Sequence, residues 1–279
     1  GLRPHAQDGF PGQVHHGVGA HADEGQRRDY QKLWPLVDRF ICVSAEAYTS
    51  YLQTGMPSDK LCVVRNGIRS TPAQADPAAV RAEFGLPQTA QIVLTVARMT
   101  EQKGHKHLLD ALPTVIAHEP NAHFIWVGDG PLLDDLRRQA QQLGIDERRL
   151  IFAGFRQDIP RLLAAADLFV LPSLFEGLPL VMLEAMAAGK AVVGTTVCGT
   201  REAIEDEVSG RLVPPGNAPA LATAILEALT DCPTVERWKA MAQRRYRKLF
   251  SAERMGRETR AIFEATFAAQ RQPLAPALV

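Results

Sequence analysis

The chain has 279 residues, 46% of them hydrophobic and 22% charged, which is the composition of a soluble globular protein and not of a disordered one. Lysine plus arginine and aspartate plus glutamate each number 31, so the formal net charge is zero. This balance argues against a dedicated nucleic-acid-binding domain, which is usually strongly basic. No apolar run reaches the ~18 residues of a transmembrane helix, and the N-terminal residues do not resemble a signal peptide.

The four cysteines are scattered along the chain and form no C-x-x-C pair, which argues against a zinc ribbon or a thioredoxin-type motif. They are Cys42, Cys62, Cys198 and Cys232. Isolated thiols with apolar neighbours are typical of a reducing compartment.

The first third of the chain has a weak pattern. Residues 1–30 show poor periodicity and hold four of the eight histidines. Strands are predicted over 39–44 and 60–64, with a helix over 45–55 between them. Residues 68–88 contain three prolines among small polar residues. This composition predicts a linker that leads into a short helix.

From residue 90 onward, strands alternate regularly with helices. Strands are predicted over 91–97, 123–128, 150–154, 167–172, 191–195 and 211–214. Helices are predicted over 104–119, 131–144, 159–166, 180–189, 200–205 and 217–230, and two more follow over 233–270. The alternation predicts a doubly wound, Rossmann-like parallel sheet, in which ligands bind at the carboxyl ends of the strands.

The strongest candidate site is a pair of glutamates around a turn. Glu176 lies in the loop after the strand over 167–172, and Glu184 lies one turn into the next helix. Between them, Gly177 and Leu178 expose backbone amides at a helix N-terminus, which favours an anion. Carboxylates accept hydrogen bonds from diols, so the pattern suggests a phosphate flanked by two sugars, as in a nucleotide sugar. The alternative is that both glutamates simply face solvent.

A second candidate is the loop after the strand over 91–97, where Arg98 and Lys103 could neutralise a diphosphate. A solvated pair of cations is the alternative. Gly128 and Gly130 resemble half of a dinucleotide fingerprint but lack its third glycine, and no P-loop is present. The missing glycine argues against a nicotinamide enzyme, and the missing P-loop argues against a P-loop enzyme.

Two other features are weaker. The histidines His15, His16 and His21 lack the partners and spacing of a metal site, and no D-x-D pair indicates a divalent ion. The basic run 244–248 near Trp238 could contact anionic lipid or nucleic acid, but in a neutral chain a solvated helix face is the favoured interpretation.

Taken together, several segments resemble the retaining glycosyltransferases of the GT-B fold, family four. The matching segments, in the family's order and spacing, are 41–47, 63–68, 96–112, 124–136, 152–155, 166–194 and 198–217. The resemblance implies an α/β protein of GT-B type. It would have one complete Rossmann-like parallel-sheet domain and a truncated second one, because family members carry more chain before the segment equivalent to residues 1–30.

The resemblance implies four domain segments. Residues 1–68 would be a truncated acceptor-side domain and 69–88 a linker. Residues 89–232 would form the domain that binds the donor nucleotide. Residues 233–279 would form helices that cross back to the N-terminal domain.

The resemblance also implies roles for individual residues. Arg98 and Lys103 match the pair that holds the donor diphosphate and stabilises the leaving nucleotide. Glu176 matches the residue that contacts hydroxyls of the transferred sugar, and Glu184 the residue that binds the ribose diol. His16 resembles, with a poor local match, a histidine close to the donor sugar. Further donor-binding positions are the turn Gly177, Leu178 and Pro179, and the nucleobase pocket Phe155, Arg156 and Asp158.

The expected function is metal-independent transfer of a hexose-like sugar from a UDP- or GDP-sugar to a saccharide or lipid-linked acceptor, with retention of anomeric configuration. No further cofactor and no nucleic acid is expected. The resemblance implies a cytoplasmic enzyme, and it leaves peripheral membrane contact open. The alternative is a nucleotide-sugar-binding module, or an inactive fragment, without turnover. An epimerase or phosphorylase would need acid–base residues or a pyridoxal lysine for which we find no motif.

Overall fold

A computed structural model describes residues 14–16, 32, 34–70 and 75–271, and at 14–16, 270 and 271 the description is limited to the backbone. His15 and His16 therefore have no described side chain, and His21 lies outside the described residues. The strands are β1 (Val14–His16), β2 (Arg39–Cys42), β3 (Leu61–Val63), β4 (Gln91–Val96), β5 (Ala122–Val127), β6 (Leu150–Gly154), β7 (Leu168–Leu171), β8 (Ala191–Thr195) and β9 (Arg211–Val213). The α-helices among the described residues are α1 (Ala45–Gln53), α2 (Pro77–Glu83), α3 (His105–His118), α4 (Leu133–Gln142), α5 (Ile159–Ala165), α6 (Leu180–Ala187), α7 (Cys198–Ala203), α8 (Ala218–Thr230), α9 (Cys232–Leu249) and α10 (Ala252–Arg271).

The chain divides into two compact units. The first contains β1–β3, α1 and, from Glu253 onward, α10, and its three strands form a parallel sheet in the order β1-β2-β3. Ser44 begins α1 by accepting a hydrogen bond from the amide of Ala47, as the preference of serine for helix N-caps predicts. Phe40 and Tyr51 pack edge to face in the small core of this unit.

The second unit, residues 66–252, contains a six-stranded sheet in the order β6-β5-β4-β7-β8-β9. All neighbouring strands in it are parallel. This confirms the predicted α/β class and the parallel sheet. Strands β4 and β7 are neighbours, and the chain builds outward from them in both directions, so they mark the point where the strand order reverses.

Helices cover both faces of this sheet, which is why its strands are nearly continuous apolar runs. Every residue of β5 and β8 is buried. One face packs Trp126 and Leu112 with Trp238 of α9, and the other packs Phe169 with Met182 of α6. The two cores hold the carboxyl ends of the strands at one rigid edge.

The segment predicted as a linker over 69–88 contains α2, and α2 belongs to the second unit. Asp76 caps this helix and Pro77 occupies its first turn. Val80 is fully buried in the core of the unit, and Arg81 forms an ion pair with Asp167 at 3.3 Å. Helix α9 also lies in this unit, packed on α6 and β8. The predicted domain boundaries stay a prediction.

None of the helices within the described ranges has both the length and the apolar character needed to span a bilayer.

Candidate active site at the carboxyl ends of β4 and β7

The loops that follow β4 and β7 lie against each other at the point of strand reversal. The amide of Leu174 donates to the carbonyl of Gln102 at 2.7 Å, and the Gln102 side chain donates to the carbonyl of Phe175 at 3.0 Å. Gly104 has a φ of 65°, and a Cβ there would lie 2.1 Å from the carbonyl oxygen of Pro172. Only glycine allows this approach, so the close contact of the two loops is built into the backbone.

This contact brings Lys103 and Glu176 together. The Lys103 ammonium donates to Oε1 of Glu176 at 2.5 Å, and the hydroxyl of Ser173 donates to the same oxygen at 2.6 Å. Glu176 is only 6% exposed, and Ser173 is fully buried. Such charge-assisted hydrogen bonds offset the cost of removing a carboxylate from water. The two candidates that the sequence placed in separate loops therefore form one group.

The turn from Gly177 to Pro179 follows directly and leads into α6. The amide of Gly199, in the first turn of α7, donates to the carbonyl of Glu176 at 3.3 Å. A Cβ on Gly199 would lie 1.9 Å from the carbonyl oxygen of Gly177, so the first turn of α7 packs directly against this turn. Within the described part of the chain, the amides of Gly177 and Leu178 have no hydrogen-bond acceptor. These two donors at a helix N-terminus are available to an anion.

Glu184 lies one turn into α6 and faces a different space. It lines a cavity of about 460 Å³, together with Arg69, Tyr246 and Arg247. Glu176 and Lys103 are not among the residues that line it. Burial raises the pKa of the Glu184 carboxyl above its ordinary value. The two glutamates therefore do not share this cavity.

Arg98 is exposed in the loop after β4, and the following loop supports that segment. A Cβ on Gly128 would lie 2.1 Å from the carbonyl oxygen of Ala97, and the amide of Met99 donates to the carbonyl of Asp129 at 2.7 Å. The Gly128–Gly130 segment is thus a tight turn that braces the β4 loop. Since Gly128 and Gly130 pack against the backbone of the β4 loop, we assign these glycines to packing and not to binding a dinucleotide.

The three residues expected around a nucleobase differ among themselves. Phe155 is 71% exposed at the end of β6. Arg156 binds Asp158 with two hydrogen bonds of 2.8 Å, pairs with Glu83 at 2.7 Å and lies over the ring of Phe84. These guanidinium contacts hold the pKa of Asp158 well below its usual range. Arg156 and Asp158 therefore bind each other, and only Phe155 presents a free side chain.

His16 ends β1 in the first unit, and its side chain lies outside the described residues. No group of three or more His, Cys, Asp or Glu side chains in the described part of the chain is arranged to hold a metal ion.

Sequence reasoning missed Ser173 and Thr195. The Thr195 hydroxyl donates to the carbonyl of Ser173 at 2.5 Å, and both residues are buried. The available signal was the Ser-x-x-Glu spacing after a buried strand, which places a hydroxyl within reach of the glutamate when the loop turns back.

Comparison with known proteins identifies relatives of this chain. A family model described as "Glycosyl transferases group 1" matches residues 90–231. The chain is 30% identical over 199 residues to the UDP-Gal:alpha-D-GlcNAc-diphosphoundecaprenol alpha-1,3-galactosyltransferase of Escherichia coli, covering 70% of this chain and 49% of that protein. It is 30% identical over 251 residues to the putative colanic acid biosynthesis glycosyltransferase WcaL of E. coli strain K12, covering 85% and 59%. The chain thus spans about half the length of the curated relatives it matches.

A solved structure is similar over most of the chain. HepE of Anabaena, crystallised with UDP and glucose, superposes with a TM-score of 0.83 at 26% identity. The match covers 90% of this chain and 71% of HepE.

Proposed function

The chain belongs to the glycosyl transferases group 1 family, and we propose that it binds a nucleoside-diphosphate sugar with the loops after β4 and β7. In this proposal the donor sugar passes to a saccharide or lipid-linked acceptor, and the anomeric configuration is retained. The residues that bind the donor are Arg98, Lys103, Glu176, Glu184 and the turn from Gly177 to Pro179.

One observation carries the proposal: the Lys103–Glu176 pair is followed directly, at the start of α6, by two amides that have no acceptor among the described residues. A lysine ammonium has three N–H donors, and Glu176 uses one of them, so two remain for phosphate oxygens. The amides of Gly177 and Leu178 add two fixed donors. Positive charge and oriented dipoles at this point stabilise a departing nucleoside diphosphate, which is where negative charge develops during glycosyl transfer.

Glu184 supports the nucleoside end of the same proposal. Its carboxylate can accept hydrogen bonds from both hydroxyls of a ribose, and the cavity it lines gives space beside α6. Phe155, with its exposed ring near the Arg156–Asp158 pair, offers a surface for a nucleobase. His16 remains a proposed neighbour of the donor sugar.

The donor is proposed to be a UDP- or GDP-sugar, with UDP supported by the UDP and glucose in the HepE complex. A lipid-linked acceptor is supported by the diphosphoundecaprenol substrate named for the E. coli galactosyltransferase. In the proposal Arg98 and Lys103 supply the positive charge for the diphosphate, so transfer proceeds without a metal. We further propose a cytoplasmic enzyme, with contact to a membrane surface where its acceptor is lipid-linked.

The direct test is thermal unfolding of the 279-residue chain with UDP, GDP, ADP, their sugar conjugates and NAD. A ligand at about 100 times its dissociation constant should add ~2.7 kcal/mol of stability. Glu184→Ala should weaken the binding of the stabilising nucleoside diphosphate about tenfold. Glu264→Ala, which removes an exposed glutamate from α10, is the matched control and should bind normally. A transition that no nucleotide shifts would refute the donor site in this chain.

A second candidate is a nucleotide-sugar-binding module without turnover. It is supported by the position of the proposed donor-binding residues, which apart from His16 all lie in the second unit, residues 66–252. A transfer assay with a radiolabelled donor and saccharide acceptors separates the two. Labelled product would support the enzyme, whereas tight donor binding without product would support the module.

A further inference from the structure

The two oxygens of the Glu176 carboxylate have different surroundings. Lys103 and Ser173 both donate to Oε1, at 2.5 and 2.6 Å. Oε2 has no partner among the described residues. We propose that Ser173 is a positioning residue that fixes this asymmetry, so that Oε2 stays available to a hydroxyl of the donor sugar and discriminates between sugars. The proposal rests on the donor site proposed above.

Ser173 is suited to this role because its hydroxyl can donate only one hydrogen bond, and Oε1 of Glu176 accepts it. The residue is fully buried, so water does not compete for that hydrogen bond. Its carbonyl accepts the hydroxyl of Thr195, at the end of β8, and this ties the serine backbone to the neighbouring strand. The serine therefore transmits the rigidity of the sheet to the carboxylate.

Lys103 alone would not achieve the same result. Its side chain keeps 21% exposure, and its flexible stem lets the ammonium follow phosphate oxygens when a donor binds. A carboxylate held by lysine alone could rotate and exchange its two oxygens. The short hydrogen bond from the Ser173 hydroxyl keeps Oε1 on the side of Ser173 and leaves Oε2 for the sugar. Such preorganisation raises the affinity for the sugar hydroxyl, because the carboxylate does not have to be ordered when the donor binds.

The test measures two dissociation constants by calorimetry, one for the nucleoside diphosphate and one for its sugar conjugate, in the full 279-residue chain. Ser173→Ala should leave the affinity for the nucleoside diphosphate unchanged. It should weaken the affinity for the sugar conjugate about tenfold, the usual loss for a misplaced hydrogen bond to a charged group. Ser173→Thr keeps the hydroxyl and should restore the wild-type ratio of the two constants.

Two further variants keep the test decisive. Ser209→Ala removes another buried serine hydroxyl, which bonds to the backbone of Glu205 at the other end of β8 and β9, and should leave the ratio unchanged. Thr195→Val removes the hydrogen bond to the Ser173 carbonyl and leaves the Ser173 hydroxyl in place. It should weaken binding of the sugar conjugate relative to binding of the nucleoside diphosphate, as Ser173→Ala does. The test therefore does not depend on Ser173→Ala folding well.

An unchanged ratio in Ser173→Ala and Thr195→Val would overturn the positioning role. Equal weakening of both ligands would overturn it as well, because that result means a general loss of structure. Failure of the wild-type chain to bind any nucleoside diphosphate would instead refute the proposed function, and this inference with it.

Discussion

The Lys103 side chain combines two tasks that individual cations in a binding loop usually perform separately. It holds a buried carboxylate, and in the proposed function it also meets the diphosphate of the donor. Because an ammonium has three donors, both tasks are compatible. The geometry of the β4 and β7 loops makes the lysine part of the fold as well as part of the proposed site.

Lys103→Ala should therefore weaken binding of the nucleoside diphosphate and of its sugar conjugate together, by about ten- to a hundredfold, since ~1.5–3 kcal/mol belongs to a charged hydrogen bond. It should also lower the free energy of unfolding, because Glu176 keeps only its bond to Ser173. Calorimetry and urea unfolding measure the two effects. Lys106→Ala, an exposed lysine on α3, is the control and should change neither. Normal nucleotide affinity in Lys103→Ala would contradict the assignment.

How far the sequence predicts the site depends on the type of contact. Lys103 and Glu176 could each be identified as candidates because each follows a predicted buried strand. Their contact could not, because it depends on β4 and β7 being neighbours, an order that the sequence did not predict. Ser173 could not, because a loop serine acquires its role only from burial and from the direction of the turn. The expected nucleobase residues show the same limit, since Glu83, which pairs with Arg156, comes from a distant helix that the sequence suggested only as part of a linker.

At the scale of elements, the loops after β4 and β7 depend on one glycine. Gly104 and Gly144 both have left-handed backbone conformations, with φ of 65° and 67°. A Cβ on Gly144 meets nothing within 4 Å, whereas one on Gly104 would strike the Pro172 carbonyl. Alanine at either position would have a strained left-handed backbone, but only alanine at position 104 would also clash with a neighbouring backbone atom.

Gly144→Ala should cost about 1–2 kcal/mol of unfolding free energy, which is the penalty for an L-residue in the left-handed region. Gly104→Ala should cost more, because the clash is with backbone, and it should also weaken nucleoside diphosphate binding by moving Lys103 away from Glu176. Chemical unfolding and calorimetry of both variants give the comparison. Equal costs and equal affinities in the two variants would show that the loop contact is not essential.

The first residue of α3 is a buried histidine. The ring of His105 packs against Trp126, and neither ring nitrogen has a hydrogen-bond partner among the described residues. Burial, with a smaller effect of the nearby Lys103 charge, lowers its pKa from 6.5 to about 4. In the unfolded chain the His105 ring therefore binds a proton below about pH 6.5, whereas in the folded chain it binds one only near pH 4.

Above pH 6.5, His105 should thus make no pH-dependent contribution to the free energy of unfolding. As the pH falls from 6.5 toward 4, it should lower that free energy by about 3 kcal/mol in total. His105→Phe removes this titration. The difference in unfolding free energy between this variant and wild type should move by that amount from about pH 7.5 to about pH 4, in favour of the variant. A pH-independent difference for His105→Phe would mean that the ring is protonated in the core.

Element prediction succeeds where burial dictates a pattern and fails where it does not. The strands of the six-stranded sheet begin and end within a residue or so of the predicted bounds, because parallel strands buried on both faces are apolar throughout. Strand β1, of three residues, carries no such pattern and was not predicted. Helix α2 is short and preceded by proline-rich chain, so the sequence does not assign it to the sheet unit. That assignment follows from contacts made in the fold, such as the burial of Val80 and the ion pair between Arg81 and Asp167.

At the scale of the whole molecule, the candidate site belongs almost entirely to one unit. Apart from His16, every residue proposed to bind the donor lies between residues 66 and 252. The two large hydrophobic cores that support the six-stranded sheet also lie within this range. A unit with its own core and its own site has what it needs to fold and bind independently.

Residues 66–252 expressed alone should therefore unfold in one cooperative transition and bind the nucleoside diphosphate within about threefold of the full chain, because no donor contact is lost except that proposed for His16. Calorimetry on both chains gives the two dissociation constants. Transfer to an acceptor should be absent from the isolated unit, since catalysis needs the acceptor held against the donor. Loss of nucleotide binding in a folded 66–252 unit would mean that the first unit supplies an essential donor contact, and His16 would then be the first residue to substitute.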